Sequence, residues 1–188
     1  MNSSRFEIIE TPLEGMKVLR RKPIEDSRGY FCRFFCSEEL SQAGLHKPVT
    51  QINQTFTRNA GAVRGLHFQY PPHAETKIVS CLKGEIFDVA VDLRQGSPTL
   101  LHWHAEILSD KNFKSLLIPE GFAHGFQTLT DDCELMYLHS ESFHPKSEGA
   151  LNIADPGLDI QWPLEITEIS DRDRLHPFID SDFKGILL

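Results

Sequence analysis

Residues 77 to 92 read Lys77-Ile78-Val79-Ser80-Cys81-Leu82-Lys83-Gly84-Glu85-Ile86-Phe87-Asp88-Val89-Ala90-Val91-Asp92. Two short apolar runs, Lys77–Leu82 and Glu85–Asp92, flank a Lys83-Gly84 turn signal, which predicts two strands. The same grammar continues outward in both directions. Upstream, strands are expected over Phe6–Ile9, Met16–Leu19, Tyr30–Phe35, Val49–Thr57 and Ala62–Tyr70. Downstream they are expected over Leu101–Leu108, Phe113–Ile118, Gly125–Leu129 and Leu135–His139. Turn chemistry separates them, as at Asn59-Ala60-Gly61, Gly96-Ser97-Pro98 and Pro119-Glu120-Gly121. One short helix is expected over Ser37–Ala43, with Ser37 as its cap and Glu38 and Glu39 in its first turn. Many short strands with frequent turns predict an all-β antiparallel barrel or sandwich with a few short peripheral helices.

The chain has 188 residues, which predicts a single domain over 1–188 with a substantial core. Lys and Arg number 19 against 27 Asp and Glu, a net charge of 19 − 27 = −8. That balance argues against a nucleic-acid-binding surface. Cys32, Cys36, Cys81 and Cys133 lack the paired spacing of a zinc site and read as reduced thiols of a cytoplasmic chain. Met1 to Glu10 shows no basic-then-apolar signal, and no apolar run approaches membrane-span length, so no membrane partner is expected. Residues 141–188 are richer in Pro and Asp and are expected to wrap the barrel with loops and short helices.

Strand parity says which side chains meet. Gln51, Asn53, Thr55 and Thr57 share one face, opposite Ile52 and Phe56. Lys77 shares a face with Val79 and Cys81, and Tyr137 with Leu135 and Cys133. Polar groups in apolar company suit a barrel interior with an opening. Arg64 and His67 differ in parity, so if both point inward Gly65 marks a bulge. An imidazole can accept a proton near neutral pH, and an ammonium can hold the charge left on an adjacent oxygen. His67 and Lys77 therefore suit proton removal next to a carbonyl.

Pro119-Glu120-Gly121-Phe122-Ala123-His124 fits the second signature of metal-binding cupin barrels. The first signature wants a His-x-His pair and a Glu seven residues before a Gly. Counting back seven from Gly84 reaches Lys77, an ammonium where a ligand should stand. A lysine cation repels a divalent ion, so the reading is a cupin-like barrel with no metal. His102, His104 and Glu106 share a strand face and offer zinc-like spacing, but are expected to form an exposed polar face, with Trp103, Ala105 and Ile107 toward the core. His46, His73, His139, His144 and His176 are expected to be surface or structural.

Arg64-Gly65-Leu66-His67-Phe68, Lys77, Gly84 to Asp92 and Pro119 to Phe126, in this order and spacing, resemble the dTDP-4-dehydrorhamnose 3,5-epimerase family. The resemblance runs from about Arg28 to Pro177. It implies a cupin-type jelly roll, a homodimer, no metal or organic cofactor, and a nucleotide-linked 4-keto-6-deoxy sugar as substrate, in L-rhamnose biosynthesis for cell-surface carbohydrate. By matching positions, His67 resembles the catalytic base and Asp173 the carboxylate that orients it. Lys77 resembles the group stabilising the enolate oxygen at C4, and Tyr137 the acid on the opposite sugar face. Arg28, Phe31, Gln51, Asn53, Arg64 and His124 match positions lining the nucleotide-sugar pocket.

Two positions depart from the family pattern. Arg33 stands where an acidic residue is usual, five positions after Arg28. Phe143, six residues after Tyr137, keeps the ring of a usual tyrosine and loses its hydroxyl, and is expected in the sugar pocket. These leave open the nucleotide and the number of carbons inverted. The rival readings are a single-carbon epimerase, a 3,4-ketoisomerase, a metal-dependent cupin enzyme and a non-catalytic sugar-binding cupin.

Overall fold

The computed structural model describes residues 4–188. Among the described residues thirteen strands and two short helices run in the order β1 (Phe6–Glu10), β2 (Lys17–Arg21), β3 (Ile24–Asp26), β4 (Gly29–Phe31), α1 (Ser37–Ser41), β5 (Gln51–Thr57), β6 (Val63–Gln69), β7 (Lys77–Lys83), β8 (Glu85–Asp92), β9 (Trp103–Ser109), β10 (Lys114–Ile118), β11 (Phe122–Thr128), β12 (Cys133–His139), β13 (Glu148–Ala150) and α2 (Asp171–Arg174). They form a six-stranded sheet ordered β1-β2-β10-β7-β12-β5 and a five-stranded sheet ordered β13-β6-β11-β8-β9, with β3 and β4 paired as a separate hairpin. The pairings within the sheets are antiparallel throughout.

Parity builds three apolar layers. Val79 and Cys81 of β7, Ile86 and Ala90 of β8, and Leu135 and Tyr137 of β12 fill the space between the sheets. The alternate residues of β8, Val89 and Val91, point outward, where Leu151, Ile153, Leu158 and Ile160 of the C-terminal segment cover them. Ile78 and Leu138, on the outer face of the other sheet, are covered by Leu40, Ala43 and Leu45 around α1. The C-terminal wrap is therefore as expected. It is pinned where Ile186 donates its N–H to the Leu93 carbonyl.

The Lys83-Gly84 turn carries the chain from one sheet to the other, because β7 and β8 belong to different sheets. Gly84 has φ +83°, and a Cβ there would meet Thr130 Oγ1 at 2.7 Å and Cys133 Sγ at 2.8 Å.

Some boundaries differ from expectation. Strand pairing over Tyr30–Phe35 stops at Phe31, and β3 and β13 were not anticipated; both are only three residues long, too short for an alternation signal. α1 is capped at Cys36 with no side-chain bond, one residue earlier than Ser37, and ends at Ser41. His104 and Glu106 are half-buried rather than exposed. Lys114 Nζ donates to Glu106 at 2.9 Å, and His104 Nε2 lies 3.3 Å from the same carboxylate, so a local ion cluster takes the place of solvent. Trp103 and Ala105 do pack inward, against the outer apolar layer, whereas Ile107 is exposed.

β6 carries the anticipated bulge. Against β11, His124 pairs with His67 while Phe126 pairs with Arg64, so β6 spends one extra residue there. Gly65 sits in the bulge at φ +125°, and a Cβ would lie 2.5 Å from the Gly125 Cα. Gly65→Ala is expected to cost roughly 2–4 kcal/mol, from backbone strain plus overpacking. Denaturant midpoints check this; an unchanged midpoint would contradict the assigned bulge.

Candidate active site

One cavity of about 670 Å³ opens between the sheets. His67, Lys77, Tyr137, Asp173, Arg64, Asn53, His124 and Phe143 all line it. The bulge is what allows Arg64 and His67 of β6 to reach the same cavity despite their opposite parity.

His67 Nε2 lies 2.8 Å from Asp173 Oδ1, and Asp173 Oδ2 accepts the Gly65 N–H at 3.3 Å. Ser170 caps α2 by accepting the Asp173 N–H, which fixes the carboxylate on a short rigid turn. Burial pushes the Asp173 carboxyl up, but the hydrogen bond and charge of His67 outweigh it and hold the group below its usual range. An ionised Asp173 accepts a hydrogen bond from the His67 Nε2–H, which leaves the lone pair on Nδ1. His67 is the more open of the pair, with 35% of its side chain exposed against 6% for Asp173.

Lys77 and Tyr137 enter from the facing sheet. His139 is paired with Lys77 across β7 and β12, and Tyr137 lies two residues along on the same face. Lys77 Nζ lies 3.0 Å from Glu75 Oε1, and Glu75 Oε2 lies 2.8 Å from His139 Nδ1. Burial pushes Glu75 up, yet the Lys77 charge and the His139 hydrogen bond bring it down to about 2. Its folded value lies below its unfolded 4.5, so the stabilisation is present in full above that pH and is lost as pH falls toward about 2. Acid unfolding of the native chain is expected to steepen across that window, and Glu75→Gln to flatten it in circular dichroism against pH. An identical acid limb in the variant would contradict the assignment.

Tyr137 is buried at 9% exposure, with its hydroxyl 3.4 Å from Thr55 Oγ1. Burial raises its phenol well above the ordinary value, against the smaller opposing effect of Thr55, so the proton is retained at neutral pH. Its ring stacks on His139 at 6.0 Å and meets His124 edge-on at 6.1 Å. His124 Nε2 lies 2.7 Å from Asp88 Oδ1. Burial pushes the Asp88 carboxyl up, against the charge of His124.

The expected substrate contacts divide. Arg64 Nε donates to Thr57 Oγ1 at 3.1 Å at the cavity wall. Gln51 is at the rim: its Nε2 donates to Asn53 Oδ1 at 3.1 Å and its Oε1 accepts the Phe143 N–H at 3.0 Å. Arg28 and Phe31 do not line the cavity of their own chain. They belong to the β3–β4 hairpin, which stands apart from both sheets, with Phe31 65% exposed and Arg28 paired to Asp26 at 2.6 Å. Arg33 is also away from the cavity, ion-paired with Glu39.

Glu75, Asp88 and His139 were missed by sequence reasoning, and His139 was set aside as structural. A period-2 count would have found two of them. Glu75 shares parity with Lys77, and His139 with Tyr137.

A model of the dTDP-4-dehydrorhamnose 3,5-epimerase family matches residues 10–181. A dTDP-4-dehydrorhamnose 3,5-epimerase of Methanothermobacter thermautotrophicus is 40% identical over 174 residues, covering 91% of this chain and 93% of the relative. The crystal structure of a dTDP-6-deoxy-D-glucose-3,5-epimerase from Legionella pneumophila, in complex with dTDP-4-keto-L-rhamnose, superposes with a TM-score of 0.89 at 35% identity, covering 96% of this chain and 98% of the other. A 3'-monoepimerase from Streptomyces bikiniensis in complex with dTDP-quinovose superposes with a TM-score of 0.83 at 32% identity, covering 90% of this chain and 86% of the other. With its cupin-like double sheet and its match to the family over residues 10–181, the chain belongs to the dTDP-4-dehydrorhamnose 3,5-epimerase family.

Proposed function

We propose that this chain is a cofactor-independent epimerase that inverts C3 and C5 of a nucleotide-linked 4-keto-6-deoxyhexose, converting dTDP-4-dehydro-6-deoxyglucose to dTDP-4-dehydrorhamnose. One observation carries the reading: His67 and Tyr137 enter a single cavity from facing sheets. A sugar ring held between them loses a proton to one sheet and regains one from the other, which is what inversion requires. Nδ1 of His67, oriented by Asp173, breaks the C–H bond next to the ketone. The electron pair moves onto the C4 oxygen as an enolate, where the Lys77 ammonium stabilises it. The enolate then collapses, taking the Tyr137 hydroxyl proton to form the new C–H bond; the phenolate regains a proton from solvent, and the His67 imidazolium releases the abstracted proton to it. C3 and C5 both flank C4, so one cation serves both carbons. No redox cofactor or metal is required, because the ketone already activates both positions.

Asn53, Arg64, His124 and Phe143 on the wall, with Gln51 at the rim, are proposed to hold the nucleotide sugar. We propose a homodimer in which Arg28 and Phe31 meet the substrate of the partner. The support is their position on an exposed hairpin outside their own cavity, beside other exposed apolar groups such as Tyr30. The four cysteines are free, which supports a reducing, cytoplasmic setting for sugar-nucleotide synthesis. Among the described residues no helix is long and apolar enough to cross a membrane.

A second reading, inversion at one carbon only, is favoured by Phe143, which lines the cavity without a hydroxyl. NMR of the product from dTDP-4-keto-6-deoxyglucose separates the two. Inversion at both carbons supports the main reading, inversion at one supports the second, and unchanged substrate overturns both. Tyr137→Phe is expected to slow inversion at least tenfold more than solvent exchange, since abstraction by His67 survives loss of the opposite-face acid. Equal loss of both rates would assign Tyr137 to packing instead.

A further inference from the structure

Asp173 is shared by two histidines. Its Oδ1 lies 2.8 Å from Nε2 of His67 and 3.8 Å from Nε2 of His176. His176 follows the end of α2, three residues beyond Asp173, so the helical turn returns its ring to the same carboxylate. The His176 Nε2 is buried and has no hydrogen-bond partner. A buried ring nitrogen without a partner is costly, and such a group calls for an explanation. The rings of His67 and His176 meet edge to face, with centroids 6.2 Å apart.

Two imidazole nitrogens and one carboxylate oxygen thus converge, all within 4.8 Å of one another. Zinc binds nitrogen and oxygen ligands at about 2.0–2.2 Å, so adjacent ligands of a tetrahedral shell stand roughly 3.3 Å apart. The two separations from Asp173 bracket that value, and small side-chain rotations bring all three atoms into range. The donor set, two histidines and a carboxylate, leaves a position for water, as in open zinc sites. The Arg172 guanidinium nearby is paired with Glu148, which offsets its repulsion of a dication.

A second cluster, His73, Glu141 and His144, is weaker. Its histidine rings lie face to face at 3.5 Å, and it contains no buried unpartnered nitrogen.

We propose that His67, Asp173 and His176 form a binding site for a divalent transition metal of the zinc type, whose occupancy switches the enzyme off. In the free dyad the His67 proton sits on Nε2, bonded to Asp173, and the Nδ1 lone pair is the base. A metal displaces the Nε2 proton and binds the lone pair left on that nitrogen, and the displaced proton moves through solvent to Nδ1. The imidazole stays neutral, no net proton is released from it, and Nδ1 becomes a donor that cannot abstract a proton. The same ion occupies the carboxylate that orients the base. Binding rests on geometry alone, whereas inhibition rests on His67 acting as the base.

The test uses full-length protein stripped with EDTA and desalted. Zinc chloride is titrated by calorimetry, and solvent exchange into dTDP-4-keto-6-deoxyglucose is followed in parallel. One zinc per chain is expected, with exchange lost in step with occupancy and restored by EDTA. His176 does not line the cavity. His176→Leu is therefore expected to keep metal-free exchange while binding zinc roughly 100-fold more weakly, and to resist inhibition. His176→Gln, checked by circular dichroism, repeats the test with a polar side chain of similar reach. Equal zinc affinity in the native chain and in folded variants would overturn the site. Stoichiometric binding that is lost in both variants but leaves native exchange untouched would overturn the inhibition and His67 as base, while the metal site would stand.

Discussion

His67→Ala is expected to abolish proton exchange at both carbons flanking the ketone, a loss on the order of 10²–10⁴-fold. No other imidazole is placed to substitute. His139 is held by Glu75 and stacked on Tyr137, His124 is bound to Asp88, and His176 is turned toward Asp173 outside the cavity lining. His67 itself keeps a free nitrogen because Asp173 takes the other. His67→Asn preserves a donor for Asp173 and so separates loss of the base from disruption of α2. Both variants are expected to be inactive, with the asparagine form closer to native stability. Exchange that persists at both carbons in either variant, measured by NMR in deuterated water, would remove His67 from the reaction.

Lys77→Ala is expected to lower kcat by about 10²–10³-fold, with a much smaller change in KM, as for loss of one donor to a developing oxyanion. The enolate oxygen carries full charge where the ground-state ketone carries little, so the ammonium acts mainly on the transition state. Lys77 is 6% exposed and fixed by Glu75, so it is already in place when the charge develops. The substitution also strands a buried carboxylate. Breaking such a pair costs on the order of 3–5 kcal/mol, so reduced thermal stability is expected with it. The double variant Lys77→Met/Glu75→Gln removes both charges; it is expected to recover stability and stay slow. Recovered turnover there, or an effect confined to KM in the single variant, would contradict an oxyanion role.

The strand-rich architecture was legible because short apolar runs, as in β7 and β8, sit between turns rich in glycine, proline or aspartate. The site was legible where parity placed a polar group inside an apolar face, as for Lys77 among Val79 and Cys81, and Tyr137 among Leu135 and Cys133. The Gly65 bulge was readable from the opposed parity of Arg64 and His67. Other features depend on contacts that a linear reading does not carry. The crossing of Gly84 between sheets is one. The Glu75 bridge between Lys77 and His139 is another, since Glu75 and His139 stand 64 positions apart. Arg28 and Phe31 were expected in the cavity by resemblance, but a hairpin detached from both sheets holds them outside it. His176 was read as ordinary because its partner is reached only through the turn of α2.

The most direct measurement is deuterium incorporation by the native, metal-free protein acting on dTDP-4-keto-6-deoxyglucose in deuterated water, followed by NMR. With His67, Lys77 and Tyr137 acting together, deuterium is expected at both C3 and C5, with inverted configuration at each. A substrate that binds but gains no label at either carbon would contradict the proposed chemistry at its root.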